Sequence, residues 1–585
     1  MADATPTLSH TDPITFAVVK NAMDAIVDEV AYTVIRTARS EIVKDVMDYS
    51  AALCDAKGEM VAQAKTIAQH LGAIPEAMAA VRARFGDDIA PGDAIILNDP
   101  YSGGMHLPDI FMFHPVFGPD AALLAWVVVI CHHTDMGGRV AGSNAADSTE
   151  VFQEGLRLPA LKYFDRGVRN ETLHSIIGLN VRVPDRVLGD LGAQYAACQV
   201  GAREILRLAG RYGTNGLRAH MAGLLDYAER MARAEIATWP TGTYRFADQI
   251  DSDGLSDDPV PLVVAITVPG DGSLVVDWAG SSPQVRAAIN STLSFTKSNT
   301  FLSVRCALTG DVPNNAGVFR CITVHAPEAS VLNPRCPAPV AARALTGYRV
   351  MDTMFGALAQ IVPHIIPAAG EGGNTVVCIA GQNPDHSPFI MVDMLSGAWG
   401  GRPNQDGIEA ITNPSQNLSN TPVEVLERQH PVRIEAYALV DDSGGPGTFR
   451  GGMGLSRSYR LLADRAMLQL RADRLVFPPY GLDGGDTGGP AMNRLTDEAG
   501  TRQLKGKVTM NLTQGALLEH HQAGGGGHGP AAARDPAAVA GDVWNGKVSV
   551  AAARARYAVA VDDKGVVDAA ETARLRGQFS GRVSP

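Results

Sequence analysis

The sequence predicts a mixed α/β (α+β) protein of several domains, and three observations carry that prediction. The chain has 585 residues, a length that divides into roughly three to four domains. Over residues 12–238 apolar runs at helical spacing alternate with short strand-like runs and loops. From Trp239 onward short β-branched runs separated by Asp and Gly take over. The 61 Gly and 35 Pro, against few aromatics, call for many loops. The expected layout is an N-terminal α/β domain over 1–238 that carries the candidate metal-binding residues. A central α+β domain over 239–430 follows, then a β-rich segment with a Gly-rich loop over 431–530, and a helical tail over 531–585.

Asp12-Pro13 opens a helix, with an acceptor at the N-cap and Pro at the first helical position. Ile14, Val18, Ile26, Val30 and Val34 fall near one face, and the helix should end near Arg39-Ser40. Asp45 to Val61 reads as a hairpin turning at Asp55-Ala56-Lys57-Gly58, with Asp48 and Ser50 at its entry. His70 begins H-L-G-A-I-P-E, and a helix from Pro75 to Phe85 follows. Pro91-Gly92-Asp93 turns the chain into a strand over Ala94 to Leu97. In the next loop Gly103 and Gly104 allow close backbone approach or positive φ, and Pro108 disfavours a helix. Ala121 to Cys131 ends in β-branched residues, as a buried strand does. Helices are expected from about Arg186 to Ala209 and Gly216 to Ala237.

Beyond Trp239 come three strands, a helix near Ser298 to Cys306, and one or two helices within Val340 to Val362. Gly370 to Met394 returns to strands, and Ser396 to Gly407 is a Gly-rich loop. Pro431 to Asp473 and Ala491 to Gln514 read as antiparallel β structure. After Gln522 to Pro530 (Q-A-G-G-G-G-H-G-P) a short helical hairpin ends in the basic Arg574, Arg576 and Arg582.

The formal charge of −12 argues against nucleic acid or an anionic membrane as the main partner. The seven Cys are scattered and never form C-x-x-C, which fits a reducing compartment. The first residues show no basic and apolar leader, and no run approaches the ~18 apolar residues of a membrane span. A cytoplasmic location is expected. There is no G-x-x-x-x-G-K-[ST] and no Gly-x-Ser-x-Gly elbow. Gly524 to Gly529 formally matches G-x-G-x-x-G, but it does not open a helix inside a βαβ unit. It is read as a flexible or substrate-covering loop.

The strongest chemical signal flanks the apolar run. His106 and Asp109 form an H-x-x-D pair before it, and His132, His133 and Asp135 follow it. Imidazole and carboxylate together suit a divalent metal such as zinc, manganese or iron(II). Neighbouring strand residues point to opposite faces, so only one of His132 and His133 can face a given site. The other would act in catalysis, in support of a ligand, or in the core. Asp135 could orient a ligand histidine. Asp48 reads equally as a turn former or a ligand.

Longer motifs carry a resemblance. They are D-Y-S-A-A-L-C-D (Asp48 to Asp55), L-N-D-P-Y-S-G-G-M-H-L-P-D (Leu97 to Asp109), C-H-H-T-D-M-G-G (Cys131 to Gly138) and T-E-V-F-Q-E-G-L-R-L-P (Thr149 to Pro159). G-A-W-G-G-R-P-N-Q-D-G, N-T-P-V-E-V-L-E, D-S-G-G-P-G-T-F-R-G-G-M-G and G-G-G-G-H-G-P follow in order. With these the chain resembles the hydantoinase B / oxoprolinase B family over nearly its whole length. The resemblance implies a hetero-oligomer with a hydantoinase A-type ATPase as partner. That partner would use ATP to phosphorylate the carbonyl oxygen of a cyclic amide (a lactam, hydantoin or 5-oxoproline). This chain would then hydrolyse the activated carbon with the help of a divalent metal. It further implies Asp48, His106, Asp109 and His132 as metal ligands, leaving His133, Asp135 and Glu150 as candidate catalytic groups. Related ketone carboxylases supply the alternative activity, and a non-catalytic scaffold for the ATPase is a third reading. The second cluster, H-H-T-D, is closer to the hydrolase branch than to the H-Q-x-D of acetone carboxylases. Ala398 and His528 depart from the commoner Gly and Tyr, which leaves the ring substrate open.

Overall fold

The computed structural model describes residues 12–579. Residues 1–11, which the expectation about a leader concerns, and Arg582 lie outside the described residues. The chain divides into two compact units. The first comprises Met1–Thr243, Ala265–Gly347 and Pro414–Ser419, and the second Tyr244–Val264, Tyr348–Asn413 and Asn420–Pro585. The units interleave along the sequence, whereas the four expected segments are contiguous.

In the first unit α1 (Pro13–Thr37) is capped by the Asp12 carboxylate, which accepts from Thr15 N. Its buried stripe is Val19, Met23, Ile26, Val27, Val30, Ala31 and Val34. Ile14 and Val18, expected on that stripe, are exposed. The first turn runs past the core it was expected to cover. The short α2 (Glu41–Lys44) leads into β1 (Tyr49–Asp55) and β2 (Met60–Gln63), the expected hairpin. Next come α3 (Ala68–Leu71), α4 (Ile74–Phe85) and β3 (Ala94–Leu97). They are followed by β4 (Asp109–Phe117), β5 (Leu123–His132), β6 (Leu161–Asp165) and β7 (Val168–Arg169). The strands form one antiparallel sheet in the order β2-β1-β5-β4-β3-β6-β7. α5 (Glu171–Asn180), α6 (Pro184–Tyr212) and α7 (Thr214–Ile236) follow, and α1 and α6 pack on the sheet. β5 is buried along almost its whole length (L-L-A-W-V-V-V-I-C-H), which is why its sequence is nearly continuously apolar. α8 (Leu293–Ala307) starts five residues earlier than the pattern suggested.

In the second unit two antiparallel sheets share an apolar core. One orders the strands Pro388–Met394, Val376–Gln382, Arg465–Arg471 and Lys507–Thr513. The other orders Val432–Leu439, Leu455–Leu461, Leu517–His521, Met492–Asp497 and Gly500–Gln503. Val377, Ile379, Met391 and Leu468 of the first meet Tyr459, Leu461, Leu495 and Leu518 of the second.

The Gly-rich run is not a mobile cover. Gly524 to His528 is buried, and each glycine donates to a neighbouring backbone carbonyl. Gly524 N bonds Gly489 O (3.0 Å), Gly525 N bonds Gly452 O (2.9 Å), Gly526 N bonds Ala369 O (2.8 Å) and Gly527 N bonds Asp486 O (2.9 Å). Their carbonyls accept in turn from Gly445, Gly401 and Leu482. A Cβ on Gly525 or Gly526 would lie 2.2 and 1.9 Å from the carbonyl oxygens of Trp399 and Tyr480. Glycine is required by close backbone approach on all sides, a demand that leaves no periodic sequence signal. Among the described residues no helix is long and apolar enough to cross a membrane.

Candidate metal centre

The site lies at one end of the first unit's sheet, and strand register builds it. β4 and β5 pair with Asp109 opposite His132, the first residue of one strand against the last of the other. β1 lies on the other side of β5, with Tyr49 opposite Cys131. Asp48 just precedes it, and its carbonyl accepts from His132 N at 3.0 Å. The order β1-β5-β4 therefore brings Asp48, His132 and Asp109 to neighbouring strand ends. The loop before β4 adds His106. That loop is held by Asn98, whose Nδ2 donates to Leu107 O and Leu156 O and whose Oδ1 accepts from Leu158 N. Gly103 sits at φ +91°, and a Cβ on Gly104 would lie 2.7 Å from the Asn98 and Asp99 carbonyl oxygens.

His106, Asp109 and His132 are fully or almost fully buried, and each turns one ligand-capable atom to within 4.8 Å of the others'. His106 Nε2 stands 3.3 Å from Asp109 Oδ2, and the two imidazole rings are 5.0 Å apart. His106 Nδ1 lies 3.1 Å from Ala341 O. A carbonyl only accepts, so Nδ1 carries a proton and donates to Ala341, which leaves Nε2 facing Asp109. Arg343, which opens the helix Arg343–Leu358, donates from Nη2 to Asp109 Oδ2. Asp109 Oδ1 has no hydrogen-bond partner among the described residues. Burial by itself would raise the Asp109 pKa. The neighbouring His106 first, and then the permanently charged Arg343, hold it well below the usual carboxylate range. An ionised, half-satisfied carboxylate beside two buried imidazoles is a donor set that fits a divalent cation.

Two members of this cluster were not singled out in the sequence. His70 on α3 is buried, with Nε2 3.6 Å from Asp48 Oδ1 and 4.0 Å from Asp109 Oδ1. Burial pushes its pKa down to about 4 against the pull of Asp109, so the ring is neutral at neutral pH. Arg343 is separated from Asp109 by 234 positions, and no local pattern links them.

The candidate catalytic groups stand outside the cluster. His133 points to the opposite side of β5, where Nε2 lies 3.1 Å from Gln194 Oε1 of α6. Gln194 in turn donates to Ile110 O and Val129 O, tying β4 to β5. Asp135 Oδ1 accepts from Gly142 N and Arg182 Nη1, and Oδ2 from Arg182 N. It ties the loop after β5 to the turn after α5. Glu150 is exposed. Four residues on, Glu154 is buried, and its Oε1 accepts from Val340 N (2.7 Å) and Ala341 N (2.9 Å). Glu154 thus holds the peptide whose carbonyl orients His106. Burial raises its pKa to about 8 despite those two donors.

The comparisons with known proteins agree with this architecture. The B component of a putative D-/L-hydantoinase of Pseudomonas sp. (strain NS671) is 33% identical over 587 residues, covering 97% of this chain and 98% of that protein. The beta component of the caprolactamase of Pseudomonas jessenii is 32% identical over 580 residues, covering 97% and 99%. A crystal structure of the ATP-dependent caprolactamase from the same organism superposes with a TM-score of 0.89 at 31% identity, over 97% of this chain and 100% of that one. A nucleotide-free acetone carboxylase structure matches with the same TM-score of 0.89 over 99% and 84%, but at 19% identity, a likeness of fold alone. The model of the Hydantoinase B/oxoprolinase family matches residues 12–531. The chain belongs to the hydantoinase B/oxoprolinase family.

Proposed function

We propose that this chain is the metal-dependent hydrolytic subunit of an ATP-dependent cyclic amide hydrolase. Its substrate is a ring amide whose carbonyl oxygen has been phosphorylated by a hydantoinase A-type ATPase partner. The observation that carries the reading is the buried group of His106, Asp109 and His132 at the sheet end. Asp48 joins it as a fourth ligand. A divalent cation held there would supply Lewis acidity toward a carbonyl or phosphoryl oxygen and lower the pKa of water.

The remaining work falls to the chain. Arg343 donates to Asp109 Oδ2, the oxygen that also faces His106, and helps to keep the carboxylate ionised, while Oδ1 has no hydrogen bond among the described residues. The Ala341 carbonyl fixes the His106 tautomer. Burial of the ligands excludes bulk water and strengthens each of these charge interactions. His133 and Asp135 serve as positioning residues, the first through Gln194 and the strand pair β4–β5, the second through Arg182 and the loop after β5. The hydantoinase and caprolactamase relatives are each named as one component of a larger enzyme, which supports a hetero-oligomer.

The test combines the chain with its ATPase partner and offers a panel of lactams and hydantoins. The reading requires ATP-dependent ring opening that is lost in His106→Ala while the complex still assembles. Bicarbonate-dependent loss of a ketone substrate would establish the carboxylase activity instead. Full activity in His106→Ala would leave the chain as a scaffold.

A further inference from the structure

The start of α8 gathers hydrogen-bond donors that find no acceptor among the described residues. The first four N–H groups of an α-helix have no partner within it and are ordinarily met by an N-cap side chain. Here the N-cap Thr292 makes no such bond. The first bond of the helix runs from Thr296 N to Thr292 O at 2.9 Å, and the N–H groups of Thr292, Leu293, Ser294 and Phe295 have no acceptor among the described residues. The nearby hydroxyls are turned elsewhere. Ser294 Oγ donates to Gly104 O (2.8 Å), and Thr292 Oγ1 lies 3.1 Å from Ser294 Oγ. Thr292, Ser294 and Phe295 are buried, and buried N–H groups without an acceptor are rare and costly. A second donor stands at the same end. Arg343 is buried, and its guanidinium carbon lies 4.5 Å from the centre of the Phe295 ring. A helical side chain leans toward the start of its helix, which puts that guanidinium beside the first turn of α8. Nη2 of Arg343 is committed to Asp109, but Nε has no hydrogen-bond partner among the described residues. A helix start and a permanently charged guanidinium, both with N–H groups to spare, call for an anion. Gly104 is two residues from His106, and Arg343 reaches Asp109, so these donors border the candidate metal centre.

We propose that the start of α8, together with Arg343, is a phosphate-binding site beside the metal centre. A tetrahedral phosphoryl group offers several oxygens to donors that converge from different directions, where a carboxylate offers two. The inference rests on the reading of a phosphorylated substrate above and deepens it. The phosphoryl group of the activated ring amide is held at the helix start, and the ring faces His106, Asp109 and His132.

Isothermal titration calorimetry with inorganic phosphate tests this on the full-length chain, as purified and after chelator treatment. Phosphate is expected to bind in both states. The deciding variant is Leu293→Pro, which removes one N–H at the first helical position, where Pro is tolerated. Thr292 already has the extended conformation (φ −62°, ψ 155°) that a following Pro accepts. Phosphate affinity should fall about tenfold in Leu293→Pro, as for the loss of one hydrogen bond to a charged group. It should be unchanged in Leu293→Ala, which loses the leucine side chain but keeps the N–H. Should Leu293→Pro fail to fold, as judged by circular dichroism, Arg343→Lys takes its place with the same expected loss, since it keeps the charge but lacks Nε. Equal affinity in Leu293→Pro and Leu293→Ala, or no phosphate binding by the wild type, overturns the inference. Binding that vanishes with the chelator places the phosphate on the metal, which overturns this inference and leaves the metal-dependent reading intact. Phosphate bound with the expected Leu293→Pro loss in a chain that carries no metal leaves the site standing and removes the metal-dependent reading instead. Acetate bound as tightly as phosphate, with the same dependence on the Leu293 N–H, assigns the site to a carboxylate and overturns the phosphate assignment.

Discussion

Asp109 and His132 face each other across the β4–β5 pair, and this one register position joins the two polar motifs that flank the apolar run. Because side chains alternate along a strand, the same register sends His133 to the α6 side. The two adjacent histidines should therefore fail differently. His132→Ala is expected to abolish metal retention and turnover in a folded chain. His133→Ala should keep the metal and cost about 1–3 kcal/mol of stability through the lost hydrogen bond and the cavity left behind. Metal content and thermal melting of the two variants, measured side by side, check this.

Arg343 and Asp109 form a buried ion pair within the cluster. Removing one partner of such a pair leaves the other charge uncompensated, at about 3–5 kcal/mol. Arg343→Ala should lower the denaturation midpoint accordingly and weaken metal binding, since Asp109 then loses the cation that keeps it ionised. Arg343→Lys retains the charge but not the planar fork, and an intermediate result is expected. Chemical denaturation of the metal-free and metal-loaded forms separates the two effects.

Glu154 gives the fold a pH dependence of defined sign. Its folded pKa is raised to about 8 from the ordinary carboxyl value of 4.5. The folded state therefore holds a proton that the unfolded state has released. The contribution is fully present below about pH 4.5 and is lost as pH rises through about 8. Within that window stability should fall by roughly 1 kcal/mol per pH unit from this group. Glu154→Gln keeps an oxygen to accept from Val340 and Ala341 and removes the titration. Its unfolding free energy should fall less steeply than the wild type's between about pH 5 and pH 8. Equal slopes would show that Glu154 is ionised in the native state.

The Gly-rich run predicts an unusually severe effect for a small change. Gly526→Ala places a methyl group 1.9 Å from the Tyr480 carbonyl oxygen, a backbone atom that cannot swing aside. Loss well beyond the roughly 1 kcal/mol of an ordinary Gly-to-Ala backbone effect is expected, on the order of 4 kcal/mol or more. Soluble yield and melting temperature read it out. Gly216→Ala on α7 meets open space and serves as the control, with stability unchanged or slightly raised.

Much of the first unit was legible in the sequence because its elements obey local rules. Asp12-Pro13 caps α1, Asp55 to Gly58 turns a hairpin, and the run into Cys131 is a buried strand. His106, Asp109, His132, His133 and Asp135 stood out together because motif and strand lie together in the chain, and the pattern alone did not choose among them. What was not legible depends on distant packing. Ile14 and Val18 have the right spacing but extend past the core. His70 carries no spacing relation to Asp48 or Asp109, and Arg343 enters the site from a helix far along the sequence. The glycines of 524–527 look like a linker, because the backbones that crowd them come from four separate stretches.

Whether the buried His106, Asp109 and His132 group holds a metal is decided by elemental analysis of the purified chain, prepared without chelators. About one equivalent of divalent metal is expected in the wild type, and its loss in a folded His106→Ala variant. A wild type without stoichiometric metal, or a His106→Ala variant that retains it, would overturn the metal-dependent reading.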